Sequence, residues 1–184
     1  MPDKRIYVPA VQEGFEWVLP VDEADHEVFR GLDGTPRRDR WKPVRVYRLT
    51  ESPTGAPLAE SDLPWLASHV LVLREKAVAA FPALTDHGEL LPLECPDADL
   101  WVFNALRLID AVDENASTLV RFSSGRILNI ERHVFHPDRV QDVEVFKLPQ
   151  MPRGWLYVTD DFVSRAASAG LRGVGFEQVW EQEG

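Results

Sequence analysis

Short segments in which hydrophobic and polar residues alternate recur along the chain, a pattern typical of half-buried β-strands. The alternation is clearest over residues 43–49, where PVRVYRL mixes apolar and charged residues. Further along, Ser123-Ser124-Gly125 separates two apolar runs and predicts a hairpin, because glycine suits a tight turn. Strands are predicted over residues 5–9, 15–20, 43–49, 69–73, 88–94, 119–122, 127–135, 143–148, 155–158 and 174–180.

Three short helices are predicted between these strands. The acidic segment 21–32 favours a helical turn. Residues 74–84 carry an apolar stripe, and Pro82 is expected to end or kink this helix early because proline lacks a backbone N–H. A third helix is predicted over residues 161–169, because the sequence TDD at 159–161 is a good amino-terminal cap. Gly170 comes directly after it, and glycine suits the left-handed position that closes a helix.

The segment from Leu100 to Val112 fits two interpretations. The spacing of Leu100, Phe103, Leu106 and Ile109 matches one face of a helix, whereas the aromatic start of the segment fits a strand. Periodicity alone does not decide between them in so short an apolar run. We expect a strand at the start and a helical turn over residues 106–112.

The order of these elements mixes hairpins with helices, which indicates an α+β fold with a largely antiparallel sheet and about three short helices. Residues 52–64 are rich in Pro, Gly and Ser and predict a loop or boundary. We therefore divide the chain into residues 1–60, a loop-rich part with strands, and residues 61–184, the main α+β domain. The first part is expected to pack on the second, since a piece of about fifty residues makes a marginal core by itself.

Composition indicates a folded protein of the cytoplasm. Hydrophobic residues make up 45% of the 184 residues, and six Trp with nine Phe supply a core. Cys95 is the single cysteine, which rules out an internal disulfide and fits a reducing compartment. No apolar run approaches the length of a membrane span, and the first residues lack the apolar region of a signal peptide. We expect no membrane association.

The net charge of −10 disfavours binding to nucleic acid or anionic membranes and favours a cationic partner, or none. The charge is unevenly placed. Residues 30–48 hold seven Lys or Arg against two Asp, whereas residues 86–114 hold eight acids against Arg107 alone. Each run is either a solvated face or, for the acidic segment, a docking surface that speeds encounter with a basic protein.

The residues that could carry chemistry do not form a recognisable catalytic set. His133 and His136 lie three positions apart in a predicted strand, so they are expected to point to opposite faces, unlike a zinc pair. Cys95 has no histidine partner at a suitable spacing. The glycines of GLRGVG follow a helix and precede a strand, the reverse of a phosphate-binding loop. We expect no enzyme activity, no metal and no cofactor.

Six short segments, in the same order and with matching spacing, resemble the immunity protein eleven family of bacteria. The resemblance covers roughly residues 61–180, and the first sixty residues are much less diagnostic. The segments are GELLPLE (88–94), LWVFNALRLIDAVDENAS (100–117), SGRILNIERHVFH (124–136), VEVFKLP (143–149), LYVTDDFV (156–163) and AGLRGVGFEQVW (169–180).

This resemblance implies a non-enzymatic protein that binds and neutralises a toxin encoded nearby, by covering its active cleft. The alternatives are an adaptor or chaperone for a neighbouring secreted protein or protease, and an enzyme with an unrecognised site. A homo-oligomer is also compatible with the sequence. The candidate partner-binding residues are five acids and two tryptophans: Asp97, Asp99, Asp110, Asp113, Glu114, Trp41 and Trp65. The alternative for Asp110, Asp113 and Glu114 is a role as turn or capping residues, and the alternative for each tryptophan is a place in the core.

Overall fold

The computed structural model describes residues 4–182, and within that range the chain forms eleven strands and three α-helices. The strands are β1 Arg5–Val11, β2 Trp17–Pro20, β3 Val46–Leu49, β4 Leu71–Leu73, β5 Gly88–Pro92, β6 Trp101–Ala105, β7 Thr118–Arg121, β8 Ile127–Arg132, β9 Val145–Phe146, β10 Tyr157–Thr159 and β11 Val174–Glu181. The α-helices are α1 His26–Arg30, α2 Glu75–Ala80 and α3 Asp160–Ser168. Short 3-10 helices cover Glu23–Asp25, Arg38–Arg40, Leu84–Asp86 and Pro137–Val140.

The strands pair antiparallel, but in four small sheets rather than one. The largest has the order β11-β1-β10-β9, so β1 lies in its interior. The others are β2-β3, β4-β6-β5 and β7-β8. Isolated parallel bridges, such as Arg45 to Glu94 and Leu108 to Lys147, tie the chain together between these sheets. The predicted α+β class with antiparallel pairing and about three short helices is confirmed.

The sheet β4-β6-β5 is buried on both faces. Leu71, Leu73 and Phe103 belong to a core cluster that also contains residues of α2 and α3. The alternate residues Val72 and Val102 belong to a second cluster. Because both faces of its strands are covered, the sheet has continuous apolar runs such as LVL instead of an alternating pattern.

Several local predictions are confirmed by the backbone. The helix α2 ends at Ala80, two residues before Pro82, as the missing N–H of proline requires. Gly170, just after α3, has a φ of +61°, and Gly125 in the β7-β8 turn has a φ of +83°. L-residues rarely adopt these left-handed conformations, and glycine reaches them without a steric penalty.

The predicted helical turn over residues 106–112 is wrong. This segment forms no helix, and its backbone bonds to distant parts of the chain: Ile109 N donates to Lys147 O at 2.9 Å, and Ala111 O accepts from His136 N at 2.7 Å. Ala111 and Val112 are buried in a third core cluster, with Phe135 and Tyr157. Long-range pairing and burial therefore override the local helical spacing of the apolar residues.

Several segments of residues 1–60 pack into the core or pair with strands of residues 61–184. Val18, Phe29 and Val46 lie in the cluster that covers Val72 and Val102 of the central sheet. The strand β1 pairs with β10 over Ile6 and Tyr7, and with β11 along its whole length. The division into residues 1–60 and 61–184 stays a prediction.

Candidate functional site

Two of the predicted acidic residues meet at one edge of the molecule. Gln150 Nε2 donates to Asp110 Oδ1 at 2.5 Å and to Glu114 Oε1 at 3.3 Å. Each carboxylate also has a cationic neighbour, Arg139 at 3.2 Å from Asp110 and Arg121 at 2.6 Å from Glu114. Both acids are exposed. Such exposed ion pairs stabilise the fold little, so the carboxylates could exchange these partners for those of a bound protein.

Asp113, between these two, has a local structural role. Its Oδ1 accepts hydrogen bonds from the backbone N–H groups of Asn115 at 3.0 Å and Ala116 at 3.1 Å. This arrangement is a turn stabilised by an aspartate side chain, which agrees with the turn interpretation of the sequence. We call Asp110, Asp113 and Glu114 the acidic edge.

Asp97 and Asp99 have other surroundings. Asp97 Oδ2 accepts from Arg48 Nη1 at 3.0 Å, and its Oδ1 accepts from the Cys95 thiol at 3.3 Å. The hydrogen bond from Cys95, and next the charge of Arg48, hold the pKa of Asp97 below its usual value. Asp99 is exposed, and within residues 4–182 it makes no side-chain hydrogen bond or ion pair. The five acids therefore do not form one cluster.

Cys95 is not activated as a nucleophile. Burial raises the pKa of its thiol; the backbone N–H of Asp97 acts against this effect, whereas the carboxylate of Asp97 adds to it. A reactive cysteine needs the opposite shift, which a nearby histidine or other cation supplies. Among residues 4–182, His, Cys, Asp and Glu do not gather in a group of three or more that could hold a metal ion.

The two candidate tryptophans are half-buried and pack against different core clusters. Trp41 packs on the cluster containing Val18 and Val102, and its Nε1 donates to Pro92 O at 2.8 Å. Trp65 packs on the cluster of α2 and α3. Trp41 also lines a half-open pocket, so it combines a fixed ring with an accessible face.

The structure contains a buried ion cluster around Glu16 that was not predicted from the sequence. Glu16 Oε1 accepts from Arg74 Nη2 at 2.6 Å, and its Oε2 accepts from Arg48 Nε at 2.8 Å. The backbone N–H of Ser61 donates to Oε1 at 3.1 Å. The side chain of Glu16 is fully buried, and a buried carboxylate is tolerated only when paired and hydrogen-bonded in this way.

A second buried polar pair holds the basic loop before Trp41. Glu89 accepts from the backbone N–H groups of Arg37 at 2.8 Å and Arg38 at 3.3 Å. Asn104 Nδ2 donates to Glu89 at 2.9 Å and to Thr35 O at 3.0 Å. Burial alone raises the pKa of Glu89, but these hydrogen bonds outweigh it and the pKa is lowered. Glu89 is therefore ionised at neutral pH and fixes this loop.

The alternation of residues along the segment around Glu16 indicates that its side chain is buried. Glu16, Val18 and Pro20 are all buried, so they occupy one face of an extended segment. A charged residue in register with two core residues must find a partner inside the protein. The sequence does not reveal which cations these are, because Arg48 and Arg74 lie 32 and 58 residues away.

Two histidines make the fold sensitive to acid. His133 bonds to the Tyr157 hydroxyl at 3.1 Å, and burial lowers the pKa of His133 to about 4. Burial, and next the charge of Lys147, lowers the pKa of His69 to about 4 as well. The unfolded chain binds protons near pH 6.5, so it binds more protons than the folded chain between pH 6.5 and 4. Stability therefore falls as the pH drops through this window.

We expect the free energy of unfolding of wild-type protein to fall by about 2 kcal/mol per buried histidine between pH 7 and pH 4.5. His133→Phe keeps an aromatic ring against Phe135 and Trp155 but cannot be protonated. Urea unfolding at both pH values should show a smaller difference for the variant, whatever its stability at pH 7. An unchanged difference would contradict the role of His133.

Comparison with known proteins finds one family that matches part of the chain. Residues 92–181 match the immunity protein family (Imm11). The match confirms the resemblance expected from the sequence and supports a role in toxin immunity in general. No curated protein matches the chain.

The immunity-family match contains all five candidate acids but neither candidate tryptophan. It also contains β10 and β11, whose partner β1 lies outside it. Proteins of this family are generally not enzymes. Among residues 4–182, no helix is long and apolar enough to cross a bilayer.

Proposed function

We propose that this chain is an immunity protein that binds a toxin encoded nearby, in the cytoplasm of the producing cell, and blocks the active site of the toxin sterically. The observation that carries the proposal is the family match over residues 92–181. A toxin-neutralising binder needs an exposed recognition surface and no catalytic group of its own.

The acidic edge suits this role by its charge and position. Asp110 and Glu114 are exposed and share Gln150, so two negative charges lie close together. Their residues fall inside the matched segment. Toxins that attack nucleic acids have basic clefts, and the net charge of −10 attracts such a surface over long range. Asp97, Asp99 and Trp65 lie outside the acidic edge and are secondary candidates for contact with the partner.

The direct test is coexpression with the protein encoded by the neighbouring gene. We expect that protein to stop growth when expressed alone and to be harmless beside this chain. Purified together, the two should elute as a stable one-to-one complex, and toxin released from it should regain activity. A stable complex with a harmless neighbour would favour the adaptor role instead, and the absence of any complex would refute the proposal.

A charge-neutralising pair of substitutions tests the acidic edge. We expect Asp110→Asn with Glu114→Gln to weaken toxin binding about tenfold at low salt, mainly through a slower association rate. Asparagine and glutamine keep the hydrogen bonds to Gln150 possible. Binding kinetics measured at several salt concentrations should also show a shallower salt dependence for the variant.

The matched control removes two exposed acids in the loops beside β2 and β3, away from this edge, with Glu13→Gln and Glu51→Gln. Both double variants change the net charge by the same amount, so a general electrostatic effect would weaken them equally. Equal losses would show that the acidic edge is not a specific contact.

A further inference from the structure

A half-open pocket of about 690 Å³ lies between α1 and the segment that leads into β3. Its apolar lining comes from Val28, Leu32, Trp41, Pro43 and Val44. The volume falls within the range of specific binding pockets. The pocket is therefore large enough to take a bulky side chain of a partner, together with the backbone on either side.

Positive charge surrounds this apolar lining. Four cations, Arg37, Arg40, Lys42 and Arg45, line the pocket against two acids, Asp25 and Glu27. Glu27 is already paired with Arg30 at 2.5 Å. Within residues 4–182, the side chains of Arg40 and Lys42 make no hydrogen bond or ion pair. A positive rim on a protein of net charge −10 runs against its overall electrostatics and favours a negatively charged occupant.

The pocket is held rigid from inside the protein. The hydrogen bond from Trp41 to Pro92 O fixes the indole ring, and the buried pair Glu89 and Asn104 holds the backbone of Thr35, Arg37 and Arg38. A side chain that is ordered before binding loses little entropy on binding, and buried aromatic and Arg contacts dominate the energy of many interfaces. The ring of Trp41 is ordered in this way, and the exposed cations around it supply the charge.

We propose that the Trp41 pocket receives an acidic segment of the partner protein, in which one apolar or aromatic side chain is flanked by carboxylates. The apolar side chain packs on Trp41 and Val44, and the carboxylates face Arg40 and Lys42. This inference rests on the proposed function, since it describes a contact with the same partner. It assigns a second surface with a charge opposite to that of the acidic edge.

The test measures binding of the protein encoded by the neighbouring gene to variants of the full chain. Arg40→Gln with Lys42→Gln alters only exposed side chains, and we expect it to weaken binding about tenfold and reduce the salt dependence. Trp41→Ala should weaken binding at least thirtyfold, provided that circular dichroism shows a folded variant. The matched control is Arg107→Gln with Arg126→Gln, which removes two exposed cations away from the pocket and should bind like wild type.

The outcomes separate the two proposals. A wild-type complex whose affinity is unchanged in Arg40→Gln with Lys42→Gln would overturn the pocket assignment and leave the immunity function standing. No wild-type complex would overturn both. Saturable binding of inorganic pyrophosphate to the free chain, lost in the same pocket variants, would assign the pocket to a small anion and also overturn the peptide assignment.

Discussion

We expect Glu16→Gln to lower the free energy of unfolding by about 3 kcal/mol, one of the two largest effects that the structure predicts. The substitution keeps the size of the side chain but removes the buried negative charge that faces Arg48 and Arg74. Removing one member of a buried ion pair leaves the remaining charges without compensation, which costs about 3–5 kcal/mol. Urea unfolding followed by tryptophan fluorescence should show a lower midpoint with an unchanged slope.

The chain offers a close control for this experiment. Glu60 lies 3.6 Å from Arg48 and 3.8 Å from Arg74, but its side chain is 67% exposed. Glu60→Gln removes the same charge from the same two arginines at the surface, so we expect a loss below about 1 kcal/mol. Similar losses for both variants would mean that burial of Glu16 does not determine its contribution.

We expect Gly173→Ala to destabilise the fold by at least about 3 kcal/mol, because two independent penalties combine. Gly173 has a φ of +105°, which L-residues rarely adopt, and a Cβ there would lie 1.6 Å from Ser61 Oγ. Ser61 cannot simply move away, since its hydroxyl donates to Arg172 O at 3.1 Å and its backbone N–H donates to Glu16. The thermal or urea midpoint measures the loss.

A second glycine separates the backbone penalty from the steric one. Gly14 has a φ of +83°, and a Cβ there would meet nothing within 4 Å. Gly14→Ala should therefore cost only about 1 kcal/mol, the backbone penalty alone. A loss at Gly173 no greater than that at Gly14 would contradict the close approach to Ser61.

Local sequence signals predicted the elements that depend on neighbours in the chain. The stop of α2 before Pro82 and the glycines at 125 and 170 follow from the conformational limits of single residues, and all three were correct. The prediction for residues 106–112 failed because their hydrogen-bond partners, Lys147 and His136, lie far along the chain. The spacing of apolar residues in one segment cannot show that its backbone N–H and C=O groups will form hydrogen bonds with a distant part of the chain.

The candidate site could be predicted only in part for the same reason. The sequence shows the charge runs at residues 30–48 and 86–114. It does not show that acids of the same run lie at different places in the fold and have different partners. Asp97 pairs with Arg48 from the basic run, whereas Asp110 pairs with Arg139. The Trp41 pocket also depends on Glu89 and Asn104, which hold its loop from β5 and β6. These contacts arise from tertiary packing rather than from spacing.

The interior position of β1 has a consequence for the timing of synthesis. Its partners β10 and β11 are translated only after most of the chain, with Val11 of β1 pairing with Val174 of β11. At about 5–20 residues per second, β1 leaves the ribosome roughly 10–30 s before that partner exists. The four-stranded sheet therefore closes after translation is nearly finished. On the proposed function, a newly synthesised chain would protect its cell only after this last strand has been made.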